Sequence, residues 1–273
     1  MKVLVLLAAT LVAALACAQE KHMEGKYAQV NGLKMYYEVH GTGKPLLLLH
    51  GAFGTLEGWE TVLPTLSKDR QVIMVELQGH GHTADIDRPL TPTGMADDVA
   101  ALLKELKLQH VDTFGYSMGG EVGLALAIRH PEAVGKLAIL GSTLGSMEAT
   151  YEKEMYDQFL SLDPETFNFP QLKDPYTKVA PDPSKWPVLV RKISEMGKSY
   201  KGYSSEEAKA IQSPVLIMMG DREGIRLEHA VEMKQAIPNS QLAIFPGGDH
   251  FVLFMHPERV LGALVPFLES ETG

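Results

Sequence analysis

The sequence predicts an α/β fold, a mostly parallel sheet of about eight strands with helices on both faces. Three observations point there. Short uninterrupted apolar runs recur along the chain, amphipathic helical periods lie between them, and the composition (45% apolar, 22% charged) is that of a globular protein with a sizeable core. A strand buried on both faces needs such continuous apolar stretches, and their alternation with helices is the mark of βαβ units.

The elements follow in order. Residues 27–30 and 33–39 are strand-like runs around Asn31-Gly32, a pair whose tolerance of positive φ suits a two-residue hairpin. A loop at 40–44 leads to the apolar run 45–49, and 72–77, 111–116, 136–140, 215–219 and 241–245 continue the series. Thr91-Pro92 opens a helix as N-cap and first residue. Its apolar positions Met95, Val99, Leu102, Leu103 and Leu106 fall at helical spacing. Further helices are expected at 122–128, 227–237 and 257–268.

Between about residues 145 and 213 the alternation breaks. A helix through Tyr151, Met155, Phe159 and Leu160 precedes six prolines, at 164, 170, 175, 181, 183 and 187, and a second helix at 188–196. This reads as short helices and proline-rich turns inserted into one domain.

The formal net charge of −9, from 25 basic and 34 acidic residues, disfavours binding to phosphate backbones and anionic lipid. No nucleic-acid partner is expected. One cysteine excludes an intramolecular disulfide and a cysteine-based metal site. Residues 3–16 are apolar or small apart from Thr10, too short a run for the roughly 20 residues of a spanning helix. With Lys2 before it and Ala16-Cys17-Ala18 after it, the run has the form of a signal peptide. The expectation is cleavage after Ala18, a single domain over residues 19–273, and a secreted or periplasmic protein with no membrane span. Cleavage would remove Cys17. The lipidation pattern Leu-small-small-Cys fits poorly, because Leu15 stands two residues before Cys17 rather than three.

Gly115-Tyr116-Ser117-Met118-Gly119 matches G-x-S-x-G between an expected strand and an expected helix. At such a turn the serine takes a strained backbone and projects its Oγ from the sheet edge. Small residues two before and two after avoid clashes. The helix N-terminus adds free N–H groups and positive dipole beside it. A serine hydroxyl needs a base within hydrogen-bond reach. Of ten histidines, His250 follows the last strand on a Gly247-Gly248-Asp249 loop, at the carboxyl edge of a parallel sheet, where Ser117 also lies. His50, His80 and His82 sit in turns and are read as structural. The base needs a carboxylate to fix its tautomer, and the strand 215–219 ends in Gly220-Asp221-Arg222-Glu223, which offers two.

Four motifs in order, His50-Gly51-Ala52-Phe53-Gly54, Gly79-His80-Gly81-His82, Gly115–Gly119 and Gly248-Asp249-His250, resemble those of a cap-bearing α/β-hydrolase, and the likeness spans residue 33 to the C-terminus. The resemblance implies an eight-stranded α/β-hydrolase fold with residues 145–213 as a helical cap. It implies Ser117 as nucleophile and His250 as base. Relatives resemble Gly-x-x-Asp after the acid strand, which points to Glu223; Asp221, shorter and nearer the strand end, is the second choice. For the oxyanion hole it implies the N–H of Met118 and of Ala52, with Phe53 as second choice for the latter. Phe53, Met118 and Phe251 adjoin these positions and are expected to contact substrate. Tyr151, Met155, Phe159, Phe167, Phe169 and Trp186 are further candidates for an apolar pocket, with packing of the cap onto the core as the alternative for each.

The expected activity is hydrolysis of small carboxylic esters through an acyl-enzyme, with no cofactor and no metal. Lactonase, thioesterase, carbon–carbon bond hydrolase, perhydrolase and a ligand-binding protein without turnover remain alternatives on the same site. Haloalkane dehalogenase and epoxide hydrolase relatives carry Asp where Ser117 stands, which disfavours them. Tyr116 and Met118 differ from the Trp-rich elbow of prolyl aminopeptidases.

Overall fold

A computed structural model of the protein describes residues 25–271. The expected signal peptide, residues 1–18, lies outside them.

Eight strands form one sheet: β1 (Lys26–Val30), β2 (Leu33–His40), β3 (Lys44–Leu49), β4 (Arg70–Val75), β5 (Val111–Tyr116), β6 (Val134–Leu140), β7 (Val215–Gly220) and β8 (Ser240–Phe245). Their order is β1-β2-β4-β3-β5-β6-β7-β8. β1 and β2 pair antiparallel through the Asn31-Gly32 turn, where φ is 48° and 82°. β2 pairs antiparallel with β4, and every later pairing is parallel. β4 is shifted from the expected 72–77. It starts at Arg70 because Lys44 pairs with Arg70 across the ladder, and it stops at Val75, after which the chain turns away into the glycine-rich 79–82 loop.

Alternate residues of each strand feed opposite faces. Leu47, Leu49, Ile73 and Val75 pack with Met95, Val99, Val122 and Leu126. Leu46, Leu48, Val72 and Met74 pack with Trp59, Leu66, Val260, Leu264 and Phe267. β5 is buried along its whole length, as a central strand between two helical layers must be. The helix Pro92–Glu105 begins where the sequence places it, with the Thr91 hydroxyl accepting from Gly94 N–H at 3.0 Å.

Residues 145–213 contribute no strand to this sheet. They hold the helices Met147–Thr150, Lys153–Leu160, Pro170–Val179, Trp186–Ser199 and Ser205–Lys209. The prolines are less disruptive than a reading as turns implies. Pro170, Pro183 and Pro187 occupy the first turns of helical segments, where no N–H partner is needed, and Pro175 sits within Pro170–Val179. The segment is tied at its base by bridges Gly145 to Gly202 and Tyr151 to Ile225.

Candidate active site

Because β3 and β5–β8 run parallel, the loops after them open on one edge of the sheet. Four of these loops converge there. β3 leads to His50–Gly54, β5 to Ser117, β7 to Glu223 and β8 to His250.

Ser117 has φ 53° and ψ −124°, a strained conformation for a residue with a side chain. It is held from both sides. Its N–H bonds to the Leu140 carbonyl at 2.8 Å, and its carbonyl accepts from the Ser142 hydroxyl at 2.9 Å. The turn is tight enough that a Cβ on Gly115 would lie 2.6 Å from Gly120 Cα, and one on Gly119 would lie 2.6 Å from the His50 carbonyl oxygen. That is why both positions are glycine.

Ser117 Oγ lies 3.1 Å from His250 Nε2. His250 Nδ1 is hydrogen-bonded to Glu223 Oε1, and the Glu223 side chain is buried while the imidazole is about one-third exposed (31%). The second Glu223 oxygen receives Gly220 N–H at 3.4 Å. Asp221 is not at the imidazole. Its Oδ1 accepts from Gly247 N–H at 2.6 Å, so it fastens the start of the His250 loop to the end of β7. The Tyr116 hydroxyl donates to the His250 carbonyl, and Asp249 accepts from Phe251 N–H at 2.9 Å.

The other turn histidines are held inside loops. His50 Nδ1 donates to the Gly51 carbonyl at 2.8 Å, which leaves Nε2 to accept Leu77 N–H at 3.1 Å. Burial pushes His50 down and His80 down to about 3, so both stay neutral. His82 bonds Glu76, which raises its pKa. No group of three or more His, Cys, Asp or Glu side chains is gathered as metal ligands among the described residues.

Beside Ser117 opens a pocket of about 330 Å³. Ala52, Phe53, Met118 and Phe251 line it. Among the described residues the N–H groups of Met118, Ala52 and Phe53 make no backbone hydrogen bond, and Phe53 is itself in the left-handed region at φ 63°. Of the aromatic and Met candidates in 145–213, Tyr151, Met155 and Phe159 reach the wall. Phe167 and Trp186 do not. They stack behind Phe53, with ring centroids 5.3 and 5.4 Å from it, and Trp186 donates to the Phe167 carbonyl. Phe169 points outward and is 41% exposed, because it precedes the helix Pro170–Val179 rather than lying on its packed face.

Sequence reasoning missed several wall residues. Leu172, Ile193, Met196 and Tyr200 come from helices or their ends, and Glu121 comes from the helix that follows Ser117. For Glu121 a signal was available, since it is the lone carboxylate in the first turns of an otherwise apolar helix, four residues after the serine.

A parallel sheet with a strained serine and a histidine at its carboxyl edge places the protein among the α/β hydrolases. Residues 44–185 match the alpha/beta hydrolase fold family model, and the chain belongs to that family. It is similar to the 2-hydroxy-6-oxo-2,4-heptadienoate hydrolase of Pseudomonas putida, 26% identical over 270 residues that cover 90% of this chain and 97% of that protein. It is also 26% identical over 257 residues to a 2-hydroxymuconate semialdehyde hydrolase of a Pseudomonas species, covering 87% and 91%. Among solved structures it resembles a bacterial membrane phospholipase A, with a TM-score of 0.78, 20% identity and coverage of 90% and 86%. The enol-lactonase of Burkholderia xenovorans gives a TM-score of 0.73, 22% identity and coverage of 90% and 100%. At those identities the two structures speak to the fold alone. No helix among the described residues is long and apolar enough to cross a membrane.

Proposed function

We propose that the chain hydrolyses small carboxylic esters through an acyl-enzyme on Ser117, with His250 as base and Glu223 as its carboxylate. One observation carries the reading: the hydrogen-bonded line Glu223, His250, Ser117 ends at the mouth of a pocket walled by Phe53, Met155, Phe159 and Ile193. Ser117 Oγ attacks the acyl carbon while His250 Nε2 takes its proton. The oxyanion is held by the N–H of Met118 and of Ala52, or of Phe53 in its place. Collapse breaks the ester C–O bond, and the leaving alkoxide receives the proton from His250. Water then repeats the sequence on the acyl-enzyme, delivering its proton to His250 and returning one to Ser117. Removing one oxyanion donor typically costs about 2.7–4 kcal/mol of transition-state stabilisation.

Residues 145–213 act in this reading as a cap that sets acyl preference, since Met147, Tyr151, Met155, Phe159, Leu172 and Ile193 line the space beside Ser117. Export by the N-terminal signal belongs to the same proposal; material collected outside the cytoplasm should begin at Gln19.

A dienoate substrate, like that named for the P. putida relative, is the second reading. The pocket wall speaks against it. Among the described residues it contains no Lys or Arg to meet a carboxylate, and it holds two carboxyls of its own, Glu121 and Glu223. The test is turnover of a panel of p-nitrophenyl esters, lactones and a dienoate by the native enzyme and by Ser117→Ala. Ester turnover lost in Ser117→Ala supports the proposal. Dienoate turnover without ester turnover, or stoichiometric binding without any turnover, contradicts it.

A further inference from the structure

The helix Met118–Arg129 carries one acidic side chain, Glu121, and turns it into the pocket. Glu121 is only 8% exposed. The Thr143 hydroxyl donates to its Oε1 at 3.2 Å, and among the described residues the carboxyl makes no other hydrogen bond and no ion pair. Burial pushes its pKa up to about 8, with the Thr143 bond acting weakly the other way.

Three phenols gather around it. Tyr151, Tyr200 and Tyr203 are each raised first by burial and next by the Glu121 charge. Further out, Glu207 acts on Tyr200 and Tyr203, and Arg129 on Tyr203. The hydroxyls of Tyr200 and Tyr203 are buried, and among the described residues neither has a partner beyond the other phenol. Of these groups Glu121 and Tyr200 line the pocket, so a carboxyl with a single hydrogen bond from the protein and a phenol hydroxyl stand together in a mostly apolar part of the wall away from Ser117 and His250. Every one of these oxygens accepts hydrogen bonds, and the tyrosine rings offer π faces. Among the described residues neither Lys nor Arg shares the wall. The complement is a group rich in donors and positively charged.

We infer that Glu121, together with the Tyr200 hydroxyl, forms a subsite for a terminal ammonium group on the acyl chain, so that ω-amino esters are favoured substrates. The inference rests on the ester-hydrolase reading above. Glu121 lies four residues along the helix from Ser117, about 6 Å of rise, which suits an acyl chain of about four to six carbons. An ammonium pairs with the ionised carboxyl. Its binding therefore displaces the Glu121 proton below pH 8 and tightens as pH rises towards that value.

The test compares kcat/KM for p-nitrophenyl 6-aminohexanoate with that for the isosteric heptanoate and for the adipate half-ester, from pH 6 to 9. The amino-to-heptanoate ratio should climb with pH and level off above about 8, with the adipate ester the poorest. In Glu121→Gln the ratio should fall at least tenfold and lose its pH dependence. Tyr200→Phe, which keeps the ring, should lower it at least threefold and keep the pH dependence. Heptanoate turnover with the same ratio in all three proteins, or preference for adipate, overturns the subsite and leaves the ester reading intact. No turnover of any ester, with no fluorophosphonate labelling of Ser117, overturns the ester reading and this inference with it.

Discussion

The Tyr116 hydroxyl donates a 2.8 Å hydrogen bond to the main-chain carbonyl of His250, joining the residue before the serine to the loop that presents the imidazole. Ser117 and His250 follow β5 and β8, which are separated in the sheet by β6 and β7, so this bond links the two loops across the open edge directly. The ring also packs edge-on against Phe254 with centroids 5.2 Å apart. Tyr116→Phe keeps that packing and deletes the bond. The expected loss is about 1 kcal/mol of stability. A similar loss in the transition state would lower kcat about fivefold, with KM little changed. Thermal denaturation and steady-state kinetics on one ester check both.

The two carboxylates after β7 should separate cleanly. Glu223→Gln keeps size and hydrogen-bonding capacity but removes the charge beside the imidazole, so kcat should drop by about 10²–10⁴. Asp221→Asn affects the bond to Gly247 N–H at the loop base, so its loss should appear mainly in denaturation midpoint. Kinetics and melts on both variants decide. A silent Glu223→Gln beside a crippled Asp221→Asn contradicts the assignment.

Most of the architecture was legible because buried parallel strands and amphipathic helices leave opposite periodicities. The hairpin at Asn31-Gly32 and the Thr91-Pro92 helix start are local signals, and the structure has both. The strand at 72–77 came out displaced because Leu77 is buried in the loop beyond β4, and apolar content alone cannot tell a strand end from a buried turn. At the site, residues next to a motif were readable, and Ser117, His250 and Glu223 do meet. The far wall was not. Whether Phe159 faces the pocket and Phe169 faces solvent depends on how the 145–213 helices dock, which helical period by itself does not encode. Trp186, a candidate for either the wall or the packing beneath it, fills the layer behind Phe53, where its large ring is enclosed.

Stability should carry the mark of Glu121. Its carboxyl pKa is raised in the folded state to about 8 from an ordinary value of 4.5. A raised folded pKa means that the protonated form is favoured by folding. The contribution is therefore fully present below pH 4.5 and is lost as pH rises through 8. Glu121→Gln, neutral throughout, should gain on the native protein as pH increases. Denaturant midpoints of the two at pH 5 and pH 8 test the sign. A gap that narrows in the native protein's favour at pH 8 would contradict it.

Pocket length should be adjustable from the helix Lys153–Leu160. Phe159 lines the pocket and lies against Gly197, where a Cβ would collide with its ring. Phe159→Ala opens that wall. It should move the optimum of a p-nitrophenyl ester series towards longer acyl chains, at a stability cost below the roughly 3–5 kcal/mol of a fully buried Phe→Ala change because Phe159 is only half-buried. Relative kcat/KM across the series is the measurement, and an unmoved optimum in a folded variant counts against the cap as the seat of specificity.

The claim on which all of this depends is that Ser117 becomes acylated. The direct measurement is mass spectrometry of enzyme quenched in acid during turnover of a p-nitrophenyl ester, followed by peptide mapping. The account predicts one acyl group on the peptide containing Ser117, and none in Ser117→Ala. An acyl group on another residue, or turnover that persists undiminished in Ser117→Ala, would contradict it.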